Sequence, residues 1–247
     1  MKWRIIRTEA NNAFMNMAID ETVSEGVAKG GQPTIRFYKW YPSAVSIGYF
    51  QSLDEEVDAE ACRLVGVDIV RRRTGGGAVY HDYNGEITYS IIGKEDVFPK
   101  GITESYREIC GYIINGLAIL GIHAEFKPIN DIIVNGKKIS GNAQTRRNGV
   151  LLQHGTILYD LDVRKMFSLL KVGKEKISDK FIQSVEERVT RVLNHSSCSL
   201  EELEKSLITG FTKNREFELG ALTAEEIGMA KRLAAERYAS REWNWMR

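Results

Sequence analysis

The sequence predicts an α+β fold in which a mixed, largely antiparallel sheet is flanked by helices. Short apolar-alternating segments recur through the first two thirds of the chain, the pattern of half-buried strands. Asn135-Gly136 stands between two of them, and Asn-Gly is the strongest short-range hairpin signal. The last third, from about residue 160, carries two capping boxes, Ser199-Leu200-Glu201-Glu202 and Thr223-Ala224-Glu225-Glu226, and reads as mainly helical. No internal repeat, Pro/Ser-rich linker or low-complexity tract interrupts residues 1–247, which read as one domain.

In chain order, residues 3–7 alternate as a short strand. Residues 11–29 place Met15, Ala18, Ile19 and Val23 on one helical face, with Asn11 or Asn12 as cap and Gly30-Gly31 as stop. Residues 34–40 form a strand, Tyr41-Pro42-Ser43 turns, and residues 44–50 return as its hairpin partner. Trp40 and Gly48 in this pair either line a slot for an extended apolar ligand or are an aromatic core residue and a bulge glycine. Residues 55–64 read as a short acidic helix. Residues 86–92 are a β-branched strand, so the glycine loop before them joins neighbouring strands. Thr103 caps a helix reaching Leu120, with Tyr106, Ile109, Cys110, Ile113, Leu117 and Leu120 on one face and Gly121 as stop. Strands follow at 124–126, 131–134, 137–141 and 150–158, and Asp162 caps a helix over 163–170. A basic segment at 171–176 and a stretch from Phe181 to Asn194 complete the order.

Lys and Arg total 34 against 33 Asp and Glu, for a net charge of +1. That balance gives no global electrostatic case for nucleic acid or an anionic membrane. The three cysteines, Cys62, Cys110 and Cys198, are far apart and form no C-x-x-C, which points to reduced thiols and a cytoplasmic protein. Cys110 sits in an apolar helical stripe and reads as a core thiol. No eighteen-residue apolar window occurs, so neither a secretion signal nor a membrane span is expected.

One stretch concentrates chemistry: Arg71-Arg72-Arg73-Thr74-Gly75-Gly76-Gly77-Ala78-Val79-Tyr80-His81-Asp82. A glycine run lets successive amides converge on an anion, and arginines supply permanent charge and forked donors. The combination suits a phosphate, yet it matches neither the P-loop nor the dinucleotide motif. A glycine-rich turn with solvated arginines is the plainer reading. Asn130-Asp131 opens a strand with polar groups, and Ser140-Gly141-Asn142-Ala143 puts small residues where a strand prefers bulk; both leave space for a ligand.

Together with Gly136-Lys137-Lys138-Ile139-Ser140-Gly141-Asn142-Ala143 and His154-Gly155-Thr156, these motifs resemble, in order, the lipoate–protein ligases of the biotin/lipoate ligase and octanoyltransferase superfamily. The resemblance runs through nearly the whole chain, including Lys180 to Val192, which looks like that family's adenylate-binding loop. It implies a catalytic domain like those of class II aminoacyl-tRNA synthetases and biotin protein ligases. It also implies ATP-dependent activation of lipoate to lipoyl-AMP, with ATP and Mg²⁺, and transfer to a lysine of a lipoyl carrier. The carriers implied are lipoyl domains of 2-oxoacid dehydrogenase E2 subunits and the glycine cleavage H protein.

By the same resemblance Lys138 is the central catalytic lysine between carboxylate and α-phosphate. The adenylate side is Arg72, Gly75, Gly76, Gly77, Ala78, Val79, Tyr80, Asn130, Asp131 and Lys138. Asp131 either holds Mg²⁺ or orients Lys138. The lipoate side is Trp40, Ser46, Gly48, Arg72, His81, Lys138, Gly141, Ala143 and His154, with His81 supporting the glycine loop and His154 packing in its strand. Many such ligases carry a C-terminal accessory domain. This chain ends about where the catalytic part should finish, so either the accessory module is a separate subunit or the protein works without it. The related octanoyltransferases are the alternative. They use a cysteine near the position of Ile129-Asn130-Asp131, where this sequence has none. Biotin ligase and a catalytically silent scaffold are further readings; the Arg-Arg-x-Thr-Gly-Gly-Gly-Ala-Val form and the intact Arg72, Gly75–Gly77 and Lys138 set speak against them.

Overall fold

The computed structural model describes residues 1–171, 183 and 186–247. Its strands are β1 Trp3–Arg7, β2 Thr34–Tyr38, β3 Ala44–Ile47, β4 Asp68–Arg71, β5 Val79–His81, β6 Glu86–Lys94, β7 Glu125–Lys127, β8 Asp131–Val134, β9 Lys137–Arg147, β10 Val150–Leu158 and β11 Phe217–Gly220. The helices used below are α1 Ala13–Ala28, α2 Leu53–Glu56, α3 Ala59–Leu64, α4 Ile102–Ile119, α5 Val163–Leu169, α6 Leu200–Thr212, α7 Ala224–Leu233 and α8 Arg241–Asn244. The large sheet runs β11-β1-β2-β6-β10-β9-β8-β7, and a small one runs β4-β3-β5. Only the β11–β1, β1–β2 and β3–β4 pairs are parallel, as expected for a mixed, largely antiparallel α+β fold.

Alternation on the central strands sends side chains to opposite faces. Ile35 and Phe37 of β2 join Ile109, Ile113 and Leu117 of α4 and Leu203, Leu207 and Phe211 of α6. Tyr38 and Ile92 turn the other way, onto Met17, Ile19 and Val23 of α1 and Ala230 of α7. A third apolar cluster fills the small sheet, through Val45, Ile47 and Tyr80, and reaches Phe167 of α5.

Local signals were largely honoured. Asn12 caps α1 through its side chain, and Asn135 and Gly136 take φ of 50° and 77° in the β8–β9 turn. Both capping boxes form, at α6 and α7. Four expectations are corrected. β3 is not the hairpin partner of β2, because β1 and β6 already occupy both edges of β2; β3 builds the small sheet instead. The glycine loop joins β4 to β5, which lie on either side of β3 and not next to each other. The acidic helix is two short ones, α2 and α3, the second capped by Asp58. Gly101, not Thr103, is the N-cap of α4. Strand β11 has only a four-residue signal: Phe217 and Leu219 alternate about Glu218, yet all four residues are exposed and bury no face. Residues 172–176 of the basic segment, and residues 180–182, 184 and 185 of the Lys180–Val192 segment, lie outside the described residues. No helix among the described residues is long and apolar enough to cross a membrane.

Candidate active site

Between the two sheets lies a cavity of about 300 Å³. Ser46 of β3 and Val79, Tyr80 and His81 of β5 wall one side, and Thr88, Gly141, Asn142, Ala143, His154 and Thr156 of the large sheet wall another. Apolar side chains, among them Met17, Leu158, Leu161 and Met166, supply much of the remainder.

The glycine loop closes one wall, and its shape is held from beneath. A Cβ on Gly48 would lie 2.0 Å from the Gly76 carbonyl oxygen, so only glycine lets the loop settle there. Gly76 itself has a φ of 98°. Arg72 is buried and fully engaged. Its Nε donates to Thr74 Oγ1 (3.1 Å), Nη1 to the Ser46 carbonyl and Oγ (both 3.1 Å), and Nη2 to the carbonyls of Gly75 (2.9 Å) and Gly77 (2.8 Å). Burial lowers its pKa to about 10. Arg71 is equally committed, to the carbonyls of Gly48, Tyr49 and Gln51 and to those of Trp243 and Asn244 near α8. Arg73 pairs with Glu21. The expectation of an arginine cluster aimed at phosphate is therefore corrected: each guanidinium is spent on the protein itself.

Lys138, at the start of β9, is pinned by its backbone. Its N–H donates to the Arg188 carbonyl, and its own carbonyl accepts from Thr190, both at 2.8 Å. Its Nζ lies 2.6 Å from Asp131 Oδ1. Gly141 opposite leaves it room, since a Cβ there would meet Lys138 Nζ at 2.8 Å. Next to this pair, Asn130 and Asn142 exchange side-chain-to-carbonyl bonds, and Tyr89 OH donates to Asn142 Oδ1 at 2.7 Å.

Two chains of hydroxyl, imidazole and carboxylate flank Arg72. In one, Ser46 Oγ lies 2.8 Å from His81 Nε2, and His81 Nδ1 lies 2.7 Å from Glu86 Oε1. A carboxylate only accepts, so His81 Nδ1 carries the proton and Nε2 accepts from Ser46. Trp40 stacks on the ring at 4.0 Å and reaches Glu86 through Thr88. In the other, Thr74 Oγ1 lies 2.8 Å from His154 Nε2, and His154 Nδ1 lies 3.3 Å from Asp20 Oδ2. Burial lowers the His154 pKa, with Arg72 and His81 adding to it against the opposing pull of Asp20, so that ring stays neutral. Burial alone would raise the Asp20 carboxyl; the His154 bond, the Arg36 charge and Ser90 together hold it below its usual range.

The structure brings together most of the residues the sequence pointed to. Trp40, Ser46, Arg72, Gly76, Gly77, Ala78, Val79, Tyr80, His81, Asn130, Lys138, Gly141, Ala143 and His154 line the cavity. Gly48, Gly75 and Asp131 do not: Gly48 and Gly75 shape the loop, and Asp131 engages Lys138. Tyr38, Thr88 and Leu161 line the cavity as isolated residues without a motif of their own, and Asn142 lines it from within the Ser140–Ala143 stretch. Glu86 was read only as the first residue of a strand; its five-residue distance from His81 across a turn was the available signal. Among the described residues the three arginines are engaged with protein groups, Asp131 is paired with Lys138, and no group of three or more His, Cys, Asp or Glu gathers to hold a cation. The cysteines, all described, are buried outside the cavity. Burial raises the thiols of Cys62 to about 11 and Cys110 to about 12.

The model of the lipoyl protein ligase A/B catalytic domain matches residues 12–212. The chain belongs to that family. Octanoyltransferase LipM of Brevibacillus brevis is 38% identical to it, over 100% of this chain and 99% of that protein. Octanoyltransferase LipM of Kyrpidia tusciae is 39% identical, over 98% of each. Among solved structures, the bipartite lipoate protein ligase of Thermoplasma acidophilum, described with its E2 lipoyl domain, superposes with a TM-score of 0.91 at 34% identity, covering 99% of this chain and 96% of that one. A lipoate-protein ligase A bound with ATP gives 0.86 at 32% identity over 99% of each chain. The lipoate-ligase fold is thus shared, and a family member holds ATP. The expected activity, however, is corrected. Full-length relatives at 33–39% identity are octanoyltransferases, which overturns ATP-dependent lipoate ligation as the reading of this member of the family.

Proposed function

We propose that this protein moves an octanoyl-type acyl group from a thioester donor to a lysine of a lipoyl domain. The near-full-length likeness to octanoyltransferases carries the reading. The cavity agrees with it: apolar walls suit an unbranched chain, and polar groups gather at one side to meet its carbonyl. In this scheme the acyl chain runs past Met17, Leu158, Leu161 and Met166. Lys138, steadied by Asp131, meets the carbonyl end as a fixed positive charge. The acceptor class follows from the Thermoplasma neighbour, whose structure includes an E2 lipoyl domain. A thioester is already activated, so neither ATP nor Mg²⁺ is required.

The test is to mix the purified chain with octanoyl-acyl carrier protein and an unmodified lipoyl domain, without ATP, and weigh the domain. Octanoylation of one lysine is expected. Modification only when free octanoate and ATP replace the thioester would overturn the proposal. Lys138→Ala should slow transfer by on the order of 10²-fold while leaving the fold intact, because its side chain is 41% exposed.

A further inference from the structure

Beside the glycine loop stands a run of aromatic rings that the cavity does not use. Phe50 lies against the loop, with a ring carbon 3.9 Å from where a Gly75 Cβ would be. Phe50 meets Tyr49 edge to face at 5.1 Å, Tyr49 meets Trp243 at 5.9 Å, and Trp243 meets Tyr238 at 5.8 Å. Each of the first three rings carries a guanidinium: Arg247 over Phe50 at 5.3 Å, Arg147 over Tyr49 at 5.0 Å and Arg237 over Trp243 at 5.6 Å. Arg241 covers the neighbouring Trp245, also at 5.3 Å. Resting on the transferase reading above, we propose that this arginine-on-aromatic ladder is the docking surface for the donor, an acidic carrier domain that holds the acyl thioester on a flexible arm.

Charge argues for an acidic partner. Glu21 answers Arg237 and Arg73, whereas Arg147, Arg241 and Arg247 pair with no carboxylate among the described residues. Asp54, at the edge of the ladder, accepts from Trp245 Nε1, and Glu242 follows Arg241 in the chain. Beside Arg147, a cleft of about 260 Å³ brings Lys29 and Arg73 over an apolar floor of Val150 and Leu152; its carboxylates are Glu21 and Glu25. A guanidinium lying flat on a ring keeps its N–H edge open, so it can fork onto a partner's carboxylate with little further ordering. Phe50 supplies the apolar contact, since 68% of it stands exposed and aromatic and arginine anchors carry most of the affinity of an interface.

Position selects the donor over the acceptor. An acceptor offers the amine of its own lysine side chain, so it must reach the carbonyl beside Lys138 directly. None of the ladder's rings lines the cavity, and neither does Gly75, on which Phe50 rests. A partner seated there is offset from the cavity and reaches it through an arm.

The experiment follows transfer by the full chain to a lipoyl domain, varying donor and acceptor in turn. The donor is octanoyl-acyl carrier protein or, in parallel, octanoyl-N-acetylcysteamine, a thioester with no protein attached. Arg147→Glu combined with Arg241→Glu should raise KM for the carrier donor by on the order of 10-fold or more and leave turnover of the small thioester unchanged. Both arginines are exposed, so the melting curve should stay that of wild type. Phe50→Ala should raise the same KM alone, by on the order of fivefold. High salt should weaken the carrier donor in wild type and far less in the charge-reversed variant. Arg147→Lys with Arg241→Lys, which keeps both charges, should recover most of the loss. Binding of the carrier protein without its acyl group, read by fluorescence anisotropy, should weaken in the same order. An unchanged carrier KM, an equal loss with both thioesters, or a rise in the KM of the lipoyl domain in place of the donor overturns the docking surface and leaves the transferase standing. Wild type that uses the small thioester but not the carrier donor does the same. Wild type that transfers from neither thioester brings down both.

Discussion

The two relays around Arg72 use the same three chemical groups and differ in what surrounds them. Ser46–His81–Glu86 has bonds of 2.8 and 2.7 Å, a hydroxyl on the cavity wall and a carboxylate with one oxygen unmatched. Thr74–His154–Asp20 starts from a fully buried hydroxyl that does not line the cavity, and its imidazole–carboxylate contact is 3.3 Å. Asp20 is saturated there: Arg36 Nη1 reaches it at 2.8 Å, with Ser90 Oγ at 2.9 Å and Tyr38 OH at 3.3 Å. Its negative charge is already answered by a guanidinium, and burial outweighs the pull it still exerts on His154 toward the charged form. The two carboxylate–histidine pairs thus differ in how fully the neighbours of the carboxylate answer it.

The sharpest way to break this comparison is to neutralise each carboxylate in turn. Glu86→Gln should slow acyl transfer by about 10²-fold, measured under single-turnover conditions, because a neutral amide holds His81 and the cavity wall at Ser46 less firmly. Asp20→Asn should act on stability instead, leaving Arg36 buried beside a neutral group and costing about 3–5 kcal/mol of stability in urea unfolding. A smaller effect is expected at Thr74→Val, which strips a partner from both His154 and the Arg72 Nε; about 1–3 kcal/mol of stability should go, with transfer per folded molecule within tenfold of wild type. Smaller again is the acid response. His154 titrates below 6.5 when folded, so the unfolded chain takes up its proton first, and stability should fall as pH drops from about 7 through that window. Asp20, held below 3.8, keeps its contribution until the pH falls beneath that value. Urea unfolding at several pH values should show the His154 slope, and His154→Gln should flatten it. At the far end, iodoacetamide applied to the native protein should leave transfer untouched, because the thiols are buried and those of Cys62 and Cys110 are pushed up in pKa. Loss of activity would hand the chemistry back to a cysteine.

Signals confined to a few neighbouring residues could be read from the chain directly. The Asn135-Gly136 turn needs only its own left-handed backbone, and each capping box only four positions. Most of the cavity was legible as well, since its motifs place glycine and other small residues where a plain strand would carry bulk. What stayed hidden depends on distant partners. Three consecutive arginines look alike in sequence, yet one is claimed by Trp243 and Asn244, one by the loop that follows it, and one by Glu21. The β2–β3 hairpin failed for the same reason: nothing near residue 40 tells that β1 and β6 already hold both edges of β2. Ser46, His81 and Glu86 come from three different strands in two sheets, so no spacing rule brings them together.

The clasp between Arg71 and the last helix couples the two ends of the molecule's architecture. Asn244 Oδ1 accepts from the Arg71 backbone, Trp243 Nε1 donates to the Arg71 carbonyl, and the guanidinium holds the Trp243 and Asn244 carbonyls in return. The same guanidinium secures Gly48 and Tyr49, on which the glycine bend rests. The tail is therefore a splint for the acyl chamber: whatever grips or trims it is felt at a wall some 170 residues away in sequence.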